Sequence, residues 1–217
     1  MGWIRRYDMS ARSERATGLD FAESAIARGD LVVLPTDTVY GLGCDAFTPD
    51  AVAKLLRAKG RGRDLPVPVL VANPRVLDGI AANLTDTARA LVAGFWPGGL
   101  TVVGHVQPSL SWDLGETGGT VAVRMPLHPV ALELLARTGP LAVSSANVSG
   151  SPPATDIDQA IEMLGEKVVA YLDGGPSGDP VPSTIVDVTT DPPRVLRVGD
   201  ISVEALREVA ADLEVAP

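Results

Sequence analysis

The chain of 217 residues carries 27 acidic against 18 basic side chains, a net charge of −9, with one cysteine, Cys44, and two histidines, His105 and His128. Those counts exclude an internal disulfide, a multi-cysteine zinc site and a histidine-rich metal cage, and with 4% aromatic residues sequence-specific RNA reading by base stacking is not supported. The 46% hydrophobic fraction suffices for a packed core; no apolar run reaches the roughly 20 residues of a membrane span and the start lacks a signal-peptide core, so a cytoplasmic protein without membrane contact is expected.

A polar tail over residues 1–12 precedes an amphipathic helix over 13–28, with Leu19, Ala22, Ala25 and Ile26 on one face and Gly29 placed to stop it. Leu31, Val32, Val33 and Leu34 read as a strand buried on both faces. Pro35 ends that strand and delivers Thr36, Asp37, Thr38 and Tyr40 to its end, where open α/β sheets bind ligands. Gly41 and Gly43 are read as positions of unusual backbone conformation. The same hydroxyls beside a proline equally suit a plain turn. Thr48, Pro49 and Asp50 open a helix that stops at Gly60, and 66–71 reads as a strand that begins on an edge or a bulge.

Two helices follow, one after Asn73-Pro74 and one over 85–94. A rigid turn over 95–99 leads to a strand at 100–103 and a loop over 107–118. The strand at 120–125 alternates, so Arg124 shares a face with Thr120 and Ala122. A helix over 129–137 precedes a buried strand at 141–143, which opens into the hydroxyls and amide of 144–155. Next come a helix over 156–164, a strand over 168–172, a turn-rich loop over 173–180, a hairpin of 184–188 with 194–198, and a last helix from Ser202 to about residue 211. About seven strands interspersed with helices, without repeat or linker, predict an α/β fold over 13–217: a twisted, mixed β-sheet with packed helices.

The charge is unevenly distributed. Residues 150–217 hold 13 acids and 4 bases, whereas the first 149 balance at 14 and 14. Lys54, Arg57, Lys59, Arg61 and Arg63 fall in ten residues without an acid, a local basic run that suits a small polyanion better than a long nucleic acid. Lys59 and Arg61, hinged by Gly60 and Gly62, can pinch a phosphate chain; a solvated basic face at a helix end is the alternative. Arg124 and Arg197 lie in apolar strands, where each needs a ligand anion or an acid such as Asp37 or Asp187. Ser145 and Asn147, two apart, point to one side of an extended backbone or serve as a cap. His128 reads as a helix cap, Cys44 as a packed residue, and no phosphate-loop or dinucleotide glycine motif is present. The residues alone reach an anion-binding, nucleotide-binding α/β enzyme.

Seven stretches, in order, resemble the threonylcarbamoyl-AMP synthase family, the YrdC-like proteins. They are Pro35-Thr36-Asp37-Thr38-Val39-Tyr40-Gly41-Leu42, Lys59-Gly60-Arg61, Trp96-Pro97-Gly98-Gly99-Leu100-Thr101, Val123-Arg124-Met125-Pro126, Ser145-Ala146-Asn147-Val148-Ser149-Gly150, Pro182-Ser183-Thr184-Ile185-Val186-Asp187 and Arg197-Val198-Gly199. The resemblance implies the YrdC-like fold in its short form and the conversion of L-threonine, bicarbonate and ATP, with Mg²⁺, to threonylcarbamoyl-AMP, pyrophosphate and water. That is the first step of threonylcarbamoylation of adenosine 37 in tRNA, completed by a separate transferase complex. By motif, Lys59 and Arg61 would be catalytic and hold the ATP phosphates, and Thr120, Asn147, Thr155 and Arg197 would line the nucleotide side. Thr38, Arg124, Ser145 and Ser183 would hold L-threonine. No residue is implied as a metal ligand or covalent nucleophile.

Leu65 and Leu70 stand where many members have a polar Asn and a His, and Arg63 is a candidate to take over part of that polar role. The rival reading is a YciO-like RNA-binding protein without the activity, kept open, with weak tRNA contact, by the basic run from Lys54 to Arg63. Carbamoyl transfer of the hydrogenase-maturation type belongs to much longer chains.

Overall fold

The computed structural model describes residues 4–178 and 181–216. Its helices sit where the periodicity and caps put them. α1 (Arg12–Ala27) buries Leu19, Ala22, Ala25 and Ile26. α2 (Pro49–Lys59) carries proline in its first turn and ends on Gly60 at φ 63°, ψ 37°, a left-handed cap that glycine adopts without strain. The Thr48 hydroxyl at its start bonds Asp45 instead of a helix N–H. α3 (Leu77–Ile80) is one turn, and α4 (Asp86–Phe95), α5 (Pro129–Thr138), α6 (Ile157–Leu164) and α7 (Val203–Val209) are capped by the side chains of Thr85, His128, Asp156 and Ser202. His128 Nδ1 accepts from Val130 N at 3.3 Å, the capping role expected of it.

Among the described residues, twelve strands form one sheet. They are β1 (Arg6–Asp8), β2 (Val32–Leu34), β3 (Gly41–Asp45), β4 (Val69–Leu70), β5 (Ala81–Ala82), β6 (Leu100–Val106), β7 (Thr120–Arg124), β8 (Leu141–Ser145), β9 (Ala170–Asp173), β10 (Thr184–Asp187), β11 (Arg194–Arg197) and β12 (Glu214–Val215). The spatial order is β1-β9-β2-β3-β8-β4-β7-β6-β10-β11-β12, with β5 also on β6, and parallel and antiparallel pairs mix throughout. The expected twisted mixed sheet is thus present, with more strands than the sequence pattern predicts.

The extra strands have physical reasons to escape the pattern. β1 lies in the stretch read as a tail; it pairs in parallel with β9, and Arg6 is tied to Asp173 and Asp158. β3 is masked by its glycines, which serve close packing and not unusual φ: a Cβ on Gly41 would lie 2.7 Å from Val143 Cγ1. The strand expected over 66–71 shortens to β4 because Pro66 and Pro68 offer no donors, and Val67 N turns to Leu114 O. The tail's residues 1–3 and the turn-rich loop's 179–180 lie outside the described residues.

Helices cover the sheet unevenly. On one face α1 and α5 pack Leu19, Ile26, Val130 and Leu134 against Val32, Leu34, Leu141 and Leu172. Residues of α2, α4, α6 and α7, including Leu55, Leu91, Ala160 and Leu206, belong to the other, larger core. Leu70 and Val143 border both the α1/α5 core and an open cleft. The register puts Ser145, Leu70, Arg124, Thr101 and Ile185 on the same face as those two helices. The cleft is therefore bare sheet beyond the edge of that helical layer.

Candidate functional site

The cleft holds about 720 Å³, within the usual range of small-molecule sites. Its floor comes from Gly41, Leu70, Val103, Ala122, Val143 and Ile185, with polar groups set around it. No acid among the described residues lines it, whereas Arg61, Arg124 and Arg197 all do, joined by Thr38, Ser145 and Ser183. Six residues from six separate stretches thus converge as the motifs grouped them.

Each arginine is oriented by fixed acceptors. Arg124 Nε donates to Gly98 O at 2.9 Å, Nη1 to Thr38 Oγ1 at 2.8 Å and Nη2 to Asp37 Oδ1 at 2.7 Å. Of the acids considered as its partners, Asp37 is the one that pairs with it. Arg197 donates from Nε and Nη2 to Ser183 O and from Nη2 to Ser183 Oγ, and Ser183 Oγ lies 2.8 Å from Thr101 Oγ1. Burial, and then the charge of Arg124, lower the pKa of Arg197. Arg61 reaches Ser144 Oγ and Pro66 O, each at 3.1 Å. Its Nε is buried with no hydrogen-bond partner among the described residues, a cost to the folded chain. Burial lowers its pKa, against the opposing charge of Asp64.

Four sequence-predicted residues do not line the main cleft. Lys59 is 2% exposed; its ammonium donates to Ser145 O, Asn147 O and Asn147 Oδ1. Burial, and then Arg61, push its pKa down to about 8. Asn147 is buried too, accepting from Ser145 Oγ at 2.6 Å and donating to Val148 O and Ser151 O. Thr120 lines a recess of about 220 Å³ that shares Pro66, Val103, Ala122 and Leu196 with the cleft. Thr155 bonds Gln159 through N and Oγ1, two residues past the lining Pro153.

Arg63 turns outward to Asp113, at 2.6 and 3.0 Å, and does not line the cleft, so it supplies no polar group beside Leu65 and Leu70. Those two leucines form part of the lining, which leaves that wall apolar. Thr101, Ser144 and the Gly98 carbonyl join the site without a motif role assigned to them. A lone hydroxyl within the apolar run Leu100-Thr101-Val102-Val103 is the available signal for the first. Cys44 is fully buried, its thiol pushed up to about 12 by burial. No group of three metal-ligating side chains occurs among the described residues, and no helix there is long and apolar enough to cross a membrane.

The sequence and the fold have counterparts. A Mycobacterium tuberculosis protein is 54% identical over 203 residues, covering 94% of each chain. A Bacillus subtilis threonylcarbamoyl-AMP synthase is 38% identical over 196 residues, which span 89% of this chain and 57% of that one. A crystal structure of Pyrococcus abyssi Sua5 complexed with L-threonine superposes with a TM-score of 0.92 at 35% identity, covering 99% of this chain and 63% of the other. The chain therefore spans about three fifths of these longer relatives. The Sua5/YciO/YrdC family model, described as telomere recombination, matches residues 24–199, and the chain belongs to that family.

Proposed function

We propose that this protein is an L-threonylcarbamoyladenylate synthase of the cytoplasm, forming threonylcarbamoyl-AMP, pyrophosphate and water from L-threonine, bicarbonate and ATP. The observation that carries the reading is the convergence of Arg61, Arg124 and Arg197 with Thr38, Ser145 and Ser183 on one cleft that no acid lines among the described residues. Such a donor set suits a carboxylate and a phosphate chain together. The fold and identities shared with named threonylcarbamoyl-AMP synthases support the same conclusion.

Threonine is held through its carboxylate by Arg124 and through polar contacts by Thr38, Ser145 and Ser183. ATP lies toward Arg61, Arg197 and the recess with Thr120, while Asn147 and Thr155 support the loop beside it. Lys59 adds positive charge beneath the floor and fixes Ser145. Mg²⁺ would be held by the phosphates of ATP, since no carboxylate lines the cleft among the described residues, and would offset part of the phosphate charge beside Arg61 and Arg197. The threonine amine adds to the carbon of bicarbonate with loss of water, or to CO₂ with loss of a proton, giving a carbamate. A carbamate oxygen then attacks the α-phosphorus as pyrophosphate leaves. No protein nucleophile is required; positioning and neutralisation of the developing phosphate charge do the work. A separate transferase complex passes the threonylcarbamoyl group to tRNA.

The test is to incubate the protein with ATP, Mg²⁺, bicarbonate and L-threonine and follow threonylcarbamoyl-AMP and pyrophosphate by mass spectrometry, omitting each substrate in turn. Product that needs all three substrates and is lost in Arg61→Ala is the expected result. Pyrophosphate release independent of threonine would overturn the assignment.

A further inference from the structure

Arg124 is held from three sides, by Gly98 O, Thr38 Oγ1 and Asp37 Oδ1. A guanidinium has five N–H donors, so one on each terminal nitrogen is left for the cleft that Arg124 lines. Asp37 as a residue is exposed, but its side chain is 14% exposed and that of Arg124 8%, and Asp37 itself does not line the cleft. A pair whose charged ends are partly shielded in this way acts more strongly on a third charge brought beside it than a pair in open water does.

We propose that Asp37 is a specificity-determining residue that makes the Arg124 end of the cleft select an amino acid as a zwitterion. The inference rests on Arg124 being the carboxylate site for threonine. An arginine alone at this depth would attract any small anion. Paired with Asp37 it is neutral overall. A ligand carboxylate then gains two hydrogen bonds but meets the repulsion of Asp37, which an α-ammonium on the same ligand offsets. With no acid among the described residues of the cleft lining itself, the carboxylate bonded to Arg124 supplies the negative field that the ammonium senses. Asp37 thus separates α-amino acids from phosphate, bicarbonate and simple hydroxy acids at the one arginine that must remain open for threonine.

The test is titration calorimetry of L-threonine and of 3-hydroxybutyrate, which is threonine without its amino group, against the wild type and Asp37→Asn. Asparagine keeps an acceptor for Arg124 Nη2 and removes the charge. The wild type should prefer threonine strongly. In the variant that preference should shrink by about tenfold, chiefly through tighter 3-hydroxybutyrate binding. Should Asp37→Asn fail to fold, Asp37→Ser carries the same comparison. A wild type that binds both ligands equally, or a folded variant with an unchanged preference, would overturn the role of Asp37. A wild type that binds neither would instead overturn the threonine site on which the inference rests.

Discussion

An ammonium has three N–H donors, and those of Lys59 are met by Ser145 O, Asn147 O and Asn147 Oδ1. The side chain therefore pins the end of β8 to the end of α2, and a phosphate could reach it only by displacing one of these acceptors. Lys59→Met should leave them unmet at about 1–3 kcal/mol, lowering the melting temperature by roughly 2–12 °C. The pH dependence has a definite sign. With the folded pKa near 8 and the ordinary value at 10.5, the unfolded chain binds more protons between those limits, so this group's contribution makes stability rise with pH across that window. The rise should be absent from the Lys59→Met denaturation series. Arg61 is tested differently. Its fork is shared between Ser144 and Pro66 with Nε left over, and lysine cannot reproduce a planar fork. Arg61→Lys should raise the KM for ATP about 10- to 100-fold, and an unchanged KM would remove Arg61 from the phosphate site.

At the scale of elements, β3 depends on a close glycine contact. Gly41 lies opposite Ser145, and Gly43 opposite Val143; the missing Cβ of Gly41 is what lets Val143 lie on the cleft floor. Gly41→Ala should cost about 1–3 kcal/mol by overpacking, and Val143→Ala in the same chain should recover part of it, a coupling that urea titrations of the two single variants and the pair would measure. This strand also shows where a sequence stops being informative. Helices are legible because their signals are local: the Gly60 stop, the Thr85 and Ser202 caps and the proline of α2 all act within a turn. β3 and β1 depend on partners far along the chain, β8 and β9; in Gly41-Leu42-Gly43-Cys44-Asp45 the alternation of Leu42 and Cys44 is set between two glycines, which disfavour strands, and Arg6-Tyr7-Asp8 has a single apolar-bodied residue. The same holds within the site. Of the residues that motif order names, Thr38, Arg61, Arg124, Ser145, Ser183 and Arg197 meet in one cleft, whereas the burial of Lys59 and Asn147 depends on a loop return that no local spacing encodes.

Across the whole molecule, the basic run from Lys54 to Arg63 does not form a patch. Lys54 lies near Asp30, Lys59 is buried, Arg61 faces the cleft and Arg63 is paired with Asp113. With the net charge at −9, direct tRNA binding should be weak, with a log affinity against log salt slope shallower than about −3; a filter-binding series in increasing salt would show it. Ligand binding should instead read out on global stability, because the cleft is lined by strands from β3 across to β11. A ligand seated on that face stabilises only the folded chain, by RT ln(1 + [L]/Kd), about 2.7 kcal/mol at a hundredfold excess over Kd. For a chain of this size that is a rise in melting temperature of roughly 5–11 °C. ATP with Mg²⁺ and L-threonine should each produce a shift, and Arg197→Ala should remove most of the ATP shift but only part of the threonine shift, because Arg124 and Thr38 stay in place while the Ser183 hydroxyl loses its Arg197 partner. Equal loss of both shifts would mean that the two ligands share one subsite and that the division of the cleft between Arg124 and Arg197 is mistaken.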